Sequence, residues 1–315
     1  MRTMRNTLLA CASMLCLSAA IAQPAAQGSD SEVLINDLRT LSSPAYGGRL
    51  TGTPGSALAQ AYITRRFKEI GLQPFGTSYA MPFEFVNTNQ NVKTDYPSAV
   101  NLVGQIRGSV YPDRYIVVSA HYDHLGVKRG VTYLGADDNA SGVAAMLAVA
   151  AHFKQHPPRN TIVFAAFDGE ELGLRGAKEF VASAPFPIKQ TALNLNFDMV
   201  SRNAKNEIYV TGTRTTPALK PLIAKIAAGT SVKLLMGHDS KVAGQPADYD
   251  WTGSSDHYAF HKAGIPFLYF GVEDHADYHK PSDSFEHVEP KFFAEVTRML
   301  VSAAELIDQS LDTLK

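Results

Sequence analysis

The feature that most constrains the fold is a set of short, uninterrupted apolar runs that each end in histidine or acidic residues. Residues 115–118 form the first run, which is rich in β-branched side chains and is followed by His121 and Asp123. Residues 161–167 have a similar form after Thr161 and are followed by Asp168. Residues 192–197 are apolar apart from Asn194 and Asn196 and are followed by Asp198. Such runs are typical of strands that are buried on both faces of a parallel sheet.

Helical patterns separate these runs along the chain. One helix is predicted to begin at a Thr53 cap, with Pro54 at its first position, and to end at Gly71. Residues 79–85 and 99–106 are predicted to pair as antiparallel strands with a polar loop between them. We therefore expect an α/β fold, a three-layer αβα sandwich with a mixed, mostly parallel central sheet.

The first 22 residues have the features of a cleavable signal peptide. Arg2 and Arg5 precede an apolar stretch, residues 8–20, that is too short to cross a bilayer comfortably, and an A-x-A cleavage signal ends at Ala22. We expect an exported protein, periplasmic or extracellular, without stable membrane association. Residues 23–315 are then expected to form a single domain, whose oligomeric state the sequence leaves open.

Composition excludes several kinds of chemistry. Both cysteines, Cys11 and Cys16, lie within the predicted signal peptide, so residues 23–315 offer neither a disulfide nor a thiolate ligand. The formal net charge of -1 gives no electrostatic basis for binding nucleic acid. Any metal must therefore be held by histidine and carboxylate side chains.

Such side chains follow several of the predicted strands. They are His121, Asp123, Asp138, Glu170, Glu171, Asp198 and His279. Because the carboxyl ends of neighbouring parallel strands lie along one edge of a sheet, we expect these groups to meet there. So many carboxylates repel one another unless cations lie between them. Nitrogen and oxygen ligands without sulfur favour zinc, with Mn²⁺ or Co²⁺ as substitutes, and the set is large enough for two ions about 3.5–4 Å apart.

The motifs at these positions resemble those of the secreted co-catalytic dizinc aminopeptidases. That metallopeptidase family includes bacterial leucyl aminopeptidases, glutamate carboxypeptidases and glutaminyl cyclases. The resemblance lies in the ordered segments SAHYDH, GADDNASG, FDGEELGL, NFDM and YHKPSD. GRLTGTPGS at residues 48–56 and SDHYAFHKAGIP at residues 255–266 match as well. The matches span nearly all of residues 23–315 and imply one metallopeptidase catalytic domain with the zinc-dependent exopeptidase fold.

The resemblance also implies which residues hold the metals. His121 and Asp198 would ligate one zinc ion, and Glu171 and His279 would ligate the other. Asp138 would bridge the two ions. These five residues are the ligand set expected of an intact dinuclear centre.

Further roles follow from the same resemblance. Asp123 would orient the imidazole of His121 from behind. Glu170 would be the general base that removes a proton from water and passes it to the leaving amine. Tyr278 is a candidate hydrogen-bond donor to the oxyanion of the transition state. A cis peptide bond is expected at Asp138–Asn139.

An aminopeptidase acting on peptide substrates is the leading interpretation, and other functions stay open. A carboxypeptidase would need a basic pocket, for which Arg202 is a candidate. A glutaminyl cyclase uses one zinc ion, which the presence of His121 disfavours, and an inactive binding module would have lost the ligands. Tyr249 and Trp251 lie where some relatives place the tyrosine that contacts the transition state. Both belong to residues 233–251, which are predicted to be irregular and to form the specificity pocket.

Overall fold

The computed structural model describes residues 30–242, 244–246 and 249–313. The predicted signal peptide, residues 1–22, lies outside the described residues. None of the helices within those described ranges is long and apolar enough to cross a membrane.

In the described part of the chain, an eight-stranded sheet forms the middle layer and a two-stranded hairpin lies apart from it. The strands are β1 (Ala80–Asn89), β2 (Val92–Ile106), β3 (Tyr111–His121), β4 (Gly126–Lys128), β5 (Val131–Tyr133), β6 (Asn160–Phe167), β7 (Thr191–Phe197), β8 (Glu207–Thr211), β9 (Lys233–Met236) and β10 (Phe267–Gly271). The order across the large sheet is β1-β2-β6-β3-β7-β10-β8-β9. Strands β6, β3, β7 and β10 run parallel, whereas β2 and β8 pair antiparallel to them. The predicted mixed, mostly parallel sheet is confirmed.

Helices cover both faces of this sheet. They are α1 (Asp30–Leu41), α2 (Pro54–Ile70), α3 (Gly142–Gln155), α4 (Arg175–Ser183), α5 (Lys220–Ala228), α6 (His257–Lys262) and α7 (Pro290–Ser310). Apolar side chains of α1, α2, α3, α5 and α7 pack on one face, and those of α4 and α6 pack on the other. In β3, Ile116 and Val118 join the first cluster and Val117 joins the second. Burial on both faces explains the uninterrupted apolar runs, and the predicted three-layer sandwich is confirmed.

Helix α2 has the predicted signals at both ends. The Thr53 side chain accepts a hydrogen bond from the N–H of Ser56, and Pro54 is the first helical residue. Gly71 ends the helix in the left-handed conformation, with φ of 83°, and its N–H donates to the carbonyls of Phe67 and Lys68. A residue without a β-carbon adopts this conformation at least cost.

The polar loop predicted between β1 and β2 is wrong. Both strands continue through this segment to a two-residue turn at Gln90 and Asn91, whose φ values of 47° and 65° match the twist of a hairpin. The cross-strand pair Phe85 and Tyr96 stacks with ring centroids 4.8 Å apart. Because these strands are held by cross-strand contacts rather than by burial in the core, they lack the apolar alternation that would reveal them.

The irregular segment predicted at residues 233–251 is also wrong in part. Its first four residues form β9, which pairs parallel to β8 at the edge of the sheet. Leu234 is the buried residue of this short strand, and Lys233 and Met236 are exposed. So short an edge strand carries too little periodicity to be distinguished from a loop.

Candidate metal centre

The predicted site residues lie at the carboxyl ends of β3, β6 and β7 and in the segments that follow β3 and β10. The chain runs from β3 to β6 on one side of β3 and then to β7 on the other, so the strand order reverses beside β3. Open α/β sheets bind ligands outside the carboxyl ends of their strands at such a point. The register brings the strand ends level, since His121 pairs with Phe167 and Ser119 pairs with Asn196.

One group of potential ligands surrounds His121. Its Nε2 atom lies 3.3 Å from Oδ1 of Asp138 and 3.3 Å from Oδ1 of Asp198. All three residues are buried. Ligand atoms bonded to a tetrahedral zinc ion at about 2.0–2.1 Å stand about 3.3 Å from one another. The spacing of these atoms therefore fits a zinc ion.

A second group surrounds His279. Its Nε2 atom lies 3.1 Å from Oδ2 of Asp138 and 3.3 Å from Oε2 of Glu171. Asp138 thus presents one carboxylate oxygen to each group. This is the arrangement that a bridging carboxylate needs between two metal ions.

The turn that carries Asp138 is fixed by side chains from distant segments. The Asp138–Asn139 peptide bond is cis, as the sequence predicts. The carboxylate of Asp283 accepts hydrogen bonds from the N–H groups of Asp137 and Asp138 at 2.9 and 3.0 Å. The side-chain amide of Asn139 donates to the carbonyl of Phe197 at the end of β7, at 2.9 Å. The bridging position is therefore tied both to the last strand-end loop and to β7.

Asp123 contacts His121 in a different way from the one expected. The Nδ1 atom of His121 lies 3.1 Å from the main-chain carbonyl of Asp123 and 3.7 Å from its carboxylate. Because a carbonyl only accepts, Nδ1 carries the proton in this contact, which leaves Nε2 available to ligate a metal. The Asp123 carboxylate instead accepts from the N–H groups of Glu170 and Glu171, at 3.0 and 3.3 Å. Asp123 thus connects the β3 ligand to the two glutamates that follow β6.

A buried chain of polar side chains leads to Asp198. The hydroxyl of Ser119 donates to Oδ1 of Asn196 at 2.7 Å, and the amide of Asn196 donates to the hydroxyl of Ser255 at 2.9 Å. Burial raises the pKa of the Asp198 carboxyl, and the neighbouring His121 and Ser255 oppose this effect. These contacts hold the Asp198 side chain at the rim of the sheet.

The carboxylates change the protonation of the buried groups around them. Burial disfavours a charged imidazole, but Asp198 and Glu170 raise the pKa of His121 well above its ordinary value. Burial also raises the pKa of Glu170 well above its ordinary value. Burial raises the pKa of Asp256 to about 8, and both of its carboxylate oxygens lack a hydrogen-bond partner among the described residues.

In the second group as well, neighbouring carboxylates favour the positively charged form of a histidine. Contacts with Asp138 and Glu171 outweigh burial and raise the pKa of His279 to about 10. The neighbouring histidines, His124 first, hold the pKa of Asp138 well below its ordinary value although burial raises it. His121 and His279 are drawn towards the protonated form by the same carboxylates that would attract a divalent cation.

Arg49 is buried beneath this cluster and has only carbonyl groups as hydrogen-bond partners among the described residues. It donates to the main-chain carbonyls of Leu41, Tyr122, Leu134 and Gly135 at 2.6–2.8 Å. Burial lowers the pKa of Arg49 to about 10, and the carboxylates of the cluster oppose that effect. The guanidinium joins the segment after β3 to the turn before Asp138.

A cavity of about 170 Å³ opens onto both groups of potential ligands. It is lined by His121, Asp138, Glu170, Glu171, Asp198, Met199, Trp251, Ser254, Tyr269, Val272, Asp274, Tyr278 and His279. The carboxylate of Glu170 lines it without belonging to either group of closely spaced ligand atoms. Tyr278 stacks on His279 with ring centroids 3.9 Å apart. Every predicted site residue except Asp123 therefore borders one cavity.

The sequence analysis named three further candidates, Trp251, Tyr249 and Arg202. Trp251 lines the cavity, and among the described residues of 233–251 it is alone in doing so. Tyr249 packs on His238 away from the cavity lining. Arg202 is paired with Asp277, with Nη1 2.6 Å from the carboxylate, and does not line the cavity.

Sequence reasoning missed several residues of this region. His124 lies within the second group, with Nδ1 2.7 Å from Oε1 of Glu171. The carboxylate of Asp137 accepts from the main-chain and side-chain donors of Ser201, and Asp283 holds the turn described above. The H-x-D-H and A-D-D-N motifs contain His124 and Asp137, and the YHKPSD segment ends at Asp283. Only the loop geometry shows which neighbour faces the cluster and which supports it.

The αβα sandwich and the two carboxylate-bridged groups at its switch point define a candidate dinuclear metal centre. The chain belongs to Peptidase family M28, whose profile matches residues 101–304.

Individual relatives agree with this assignment. "Aminopeptidase YwaD" of Bacillus subtilis (strain 168) is 32% identical over 202 residues, which make up 61% of this chain and 41% of that protein. "Probable lipoprotein aminopeptidase LpqL" of Mycobacterium tuberculosis is 27% identical over 274 residues, 78% of this chain and 51% of that protein. The chain thus spans about half the length of these relatives.

Solved structures share the fold at low sequence identity. A zinc aminopeptidase from Bacillus subtilis has a TM-score of 0.68 at 18% identity, covering 87% of this chain and 94% of that one. A glutaminyl cyclase from Bacteroides thetaiotaomicron has a TM-score of 0.68 at 16% identity, covering 87% and 96%. The chain therefore has the zinc-exopeptidase type of αβα sandwich.

Proposed function

We propose that this chain is an exported, zinc-dependent exopeptidase with a dinuclear centre, and that it removes N-terminal residues from peptides. The observation that carries the proposal is the placement of Asp138. One of its carboxylate oxygens lies 3.3 Å from His121, and the other lies 3.1 Å from His279. Export is supported by the predicted signal peptide and by a relative named as a lipoprotein.

The donor set fits two zinc ions. Each group offers one imidazole nitrogen and one terminal carboxylate, Asp198 in the first and Glu171 in the second, with Asp138 shared. Within each group, the distances from the imidazole nitrogen to the carboxylate oxygens match those between ligands of one zinc ion. The buried carboxylates also carry an excess of negative charge that metal ions would neutralise. When bound, the two ions supply Lewis acidity that polarises a carbonyl and lowers the pKa of water.

Glu170 is the proposed general base. Its N–H donates to Asp123 and its side chain lines the cavity, so the carboxylate is held at the edge of the ligand cluster. Burial and the neighbouring carboxylates raise its pKa, which makes it a stronger base than an exposed glutamate. In this role it accepts a proton from water and donates it to the leaving amine.

A tyrosine can supply the hydrogen bond that stabilises the oxyanion. Burial keeps the pKa of Tyr278 above its ordinary value, so its hydroxyl stays a donor at neutral pH. Tyr269 lines the same cavity, and burial raises its pKa in the same direction. Tyr278 is the residue proposed for this role because it stacks on His279 at the ligand cluster.

The charges of the cavity favour the amino end of a peptide over its carboxyl end. Asp138, Glu170, Glu171, Asp198 and Asp274 line it, and its described lining contains neither lysine nor arginine. These carboxylates outnumber the positive charges of two divalent ions by one. A free amine is therefore attracted and a terminal carboxylate is repelled. The pairing of Arg202 with Asp277 removes the residue that a carboxypeptidase site would have used.

The test is hydrolysis of a peptide panel with and without a chelator. The panel contains peptides with free N-termini, the same peptides N-acetylated, and one peptide that begins with glutamine. We expect release of the first residue from free peptides, no cleavage of acetylated ones, loss of activity with chelator and its return with zinc. Cleavage of acetylated peptides, or full activity in chelator, would contradict the proposal.

Two outcomes identify the alternatives. Release of ammonia from the glutamine peptide without a free amino acid identifies a glutaminyl cyclase. Binding of peptides without turnover, by a protein that contains zinc, identifies an inactive binding module.

A further inference from the structure

We propose that His124 is an additional nitrogen ligand of the cation held by Asp138, Glu171 and His279. The inference rests on the proposed function, because it assumes that this group binds a metal. It changes the ligand count of the second position from three protein residues to four.

The position of the His124 ring carries the inference. The residue is buried, and its Nδ1 atom lies 2.7 Å from Oε1 of Glu171 and 3.7 Å from Oδ2 of Asp138. These three atoms form a compact group of potential ligands, as His121, Asp138 and Asp198 do on the other side. The second position is therefore bordered by two imidazoles, from His124 and His279.

The 2.7 Å contact between His124 and Glu171 lacks the geometry of a hydrogen bond. Within the described part of the chain, neither Nδ1 nor Nε2 of His124 has a hydrogen-bond partner, and neither does Oε1 of Glu171. Buried polar atoms without partners are rare, and two of them side by side need an explanation. A cation that accepts electron pairs from both atoms satisfies them together, which a proton in poor alignment does not.

The backbone around His124 keeps the ring in this position. Gly135 has φ of 59°, and a β-carbon placed on it would lie 2.5 Å from Cγ of His124. Arg49 binds the carbonyls of Tyr122, in the segment that carries the ring, and of Gly135, in the segment that contacts it. The ring is thus enclosed between two segments that one guanidinium holds together, and it presents Nδ1 without a large rearrangement.

The additional ligand makes the two positions unequal. The group of His121, Asp138 and Asp198 offers three protein ligands, the number typical of zinc sites that keep an open position. Four protein ligands are typical of closed sites that hold their metal firmly. We therefore expect the ion beside His124 to be the slower of the two to leave.

The test compares His124→Asn and His124→Ala with the unchanged protein, using Co²⁺ as the probe. The amide nitrogen of asparagine can take the place of Nδ1 as a donor to Glu171, but it does not ligate a metal. His152→Asn is the matched control, because His152 also faces one carboxylate, Glu305 at 3.3 Å, outside the candidate site.

Binding is measured by competition with a chelator, and the nitrogen ligands per bound metal are counted by X-ray absorption. We expect both His124 variants to bind the tighter ion at least about 100-fold more weakly, beyond the range of about 10–100-fold for losing an outer contact. In both His124 variants, the number of nitrogen ligands for each pair of bound ions should be one lower than in the unchanged protein. The His152→Asn variant should match the unchanged protein.

Specific results would overturn the inference. If His124→Asn binds Co²⁺ as the unchanged protein does, or if the nitrogen count does not change, His124 only positions Glu171. Retention of the other ion by the variants, with an unchanged far-ultraviolet circular dichroism spectrum, shows that they are folded. If the unchanged protein binds no metal at all, the proposed function fails instead, so the two failures are distinguishable.

Discussion

Carboxylates and histidines lie beside a cavity at both ends of strand β6. The carboxylates differ between the two ends in how they are hydrogen-bonded. At the amino end, a cavity of about 530 Å³ is lined by residues that include His156, Arg159, Glu305 and Asp308. At the carboxyl end, the cavity described above is only about 170 Å³. Judged by cavity volume alone, the amino end would be the better candidate for a ligand site.

The carboxylates of the amino end are satisfied by donors of the protein itself. Asp308 accepts from the N–H groups of Arg159 and Asn160, both at 2.8 Å, and from the side-chain amide of Asn160 at 2.7 Å. Glu305 is 41% exposed and accepts from Gln309. These bonds fasten α7 to the start of β6.

The carboxylates of the other end converge instead. Asp138, Asp198 and Glu171 stand 3.1–3.3 Å from imidazole nitrogens, and Oε1 of Glu171 lacks a hydrogen-bond partner within the described residues. A buried acid that the protein leaves incompletely bonded indicates a ligand site, whereas one with a full set of donors indicates structure. The two ends are therefore distinguished by how completely their carboxylates are hydrogen-bonded, rather than by cavity volume.

The largest expected difference between the ends is in catalysis. Glu170→Gln should lower kcat by about 10²–10⁴-fold, because an amide cannot accept the proton from water, while both metals stay bound. Glu305→Gln is the matched change at the amino end and should leave kcat unchanged. Steady-state kinetics and elemental analysis of both variants provide the measurement. Near-normal turnover in Glu170→Gln would show that another group is the base.

Removing the acid of the amino end should instead affect stability. Asp308→Ala leaves the N–H groups of Arg159 and Asn160 without their acceptor, and the side-chain amide of Asn160 keeps only the Asp308 carbonyl. We therefore expect the free energy of unfolding to fall by about 3 kcal/mol. Metal content should not change. Urea denaturation with elemental analysis tests both statements, and a variant that lost zinc while keeping its stability would reverse the roles assigned to the two ends.

Metal should stabilise the protein through the carboxyl end alone. Zinc at about 100 times its Kd raises the free energy of unfolding by about 2.7 kcal/mol for each site that exists only in the folded state. This gain should shrink in His121→Ala, whose zinc content should fall as well, and should persist in Glu305→Gln. Thermal unfolding of the zinc-free and zinc-loaded forms provides the measurement. Two bound zinc ions in His121→Ala would remove this residue from the ligand set.

The smallest effect is expected at His152. Its imidazole faces Glu305 at 3.3 Å across a partly exposed surface, so His152→Asn should change the free energy of unfolding by no more than about 0.5 kcal/mol. Its activity and zinc content should equal those of the unchanged protein. A loss of zinc would mean that the amino end also binds metal.

The central sheet could be predicted because burial on both faces leaves a direct mark on the sequence. Residues 161–167 are apolar apart from Thr161, and residues 192–197 are apolar apart from Asn194 and Asn196. They correspond to β6 and β7 to within a residue at each end. The outer parts of β1 and β2 left no such mark, because their residues are exposed or at most half-buried.

The composition of the candidate site could be predicted better than its contacts. Convergence of the strand ends follows from topology, so the site residues could be pooled in advance, and the family resemblance implied that His121, Asp138 and Asp198 share one ion. The partner of Asp123 could not, because its carboxylate binds main-chain N–H groups, which every residue has. His124 stayed hidden for a related reason, since the spelling H-x-D-H does not show which imidazole faces the cluster.

Arg49 gives the ligand frame a support that does not depend on metal. Its guanidinium holds carbonyls from α1, from the segment after β3 and from the turn that precedes the bridging carboxylate. It is also a permanent internal positive charge among acids. We therefore expect these loops to keep their arrangement when metal is removed, so that removal of the metal is reversible.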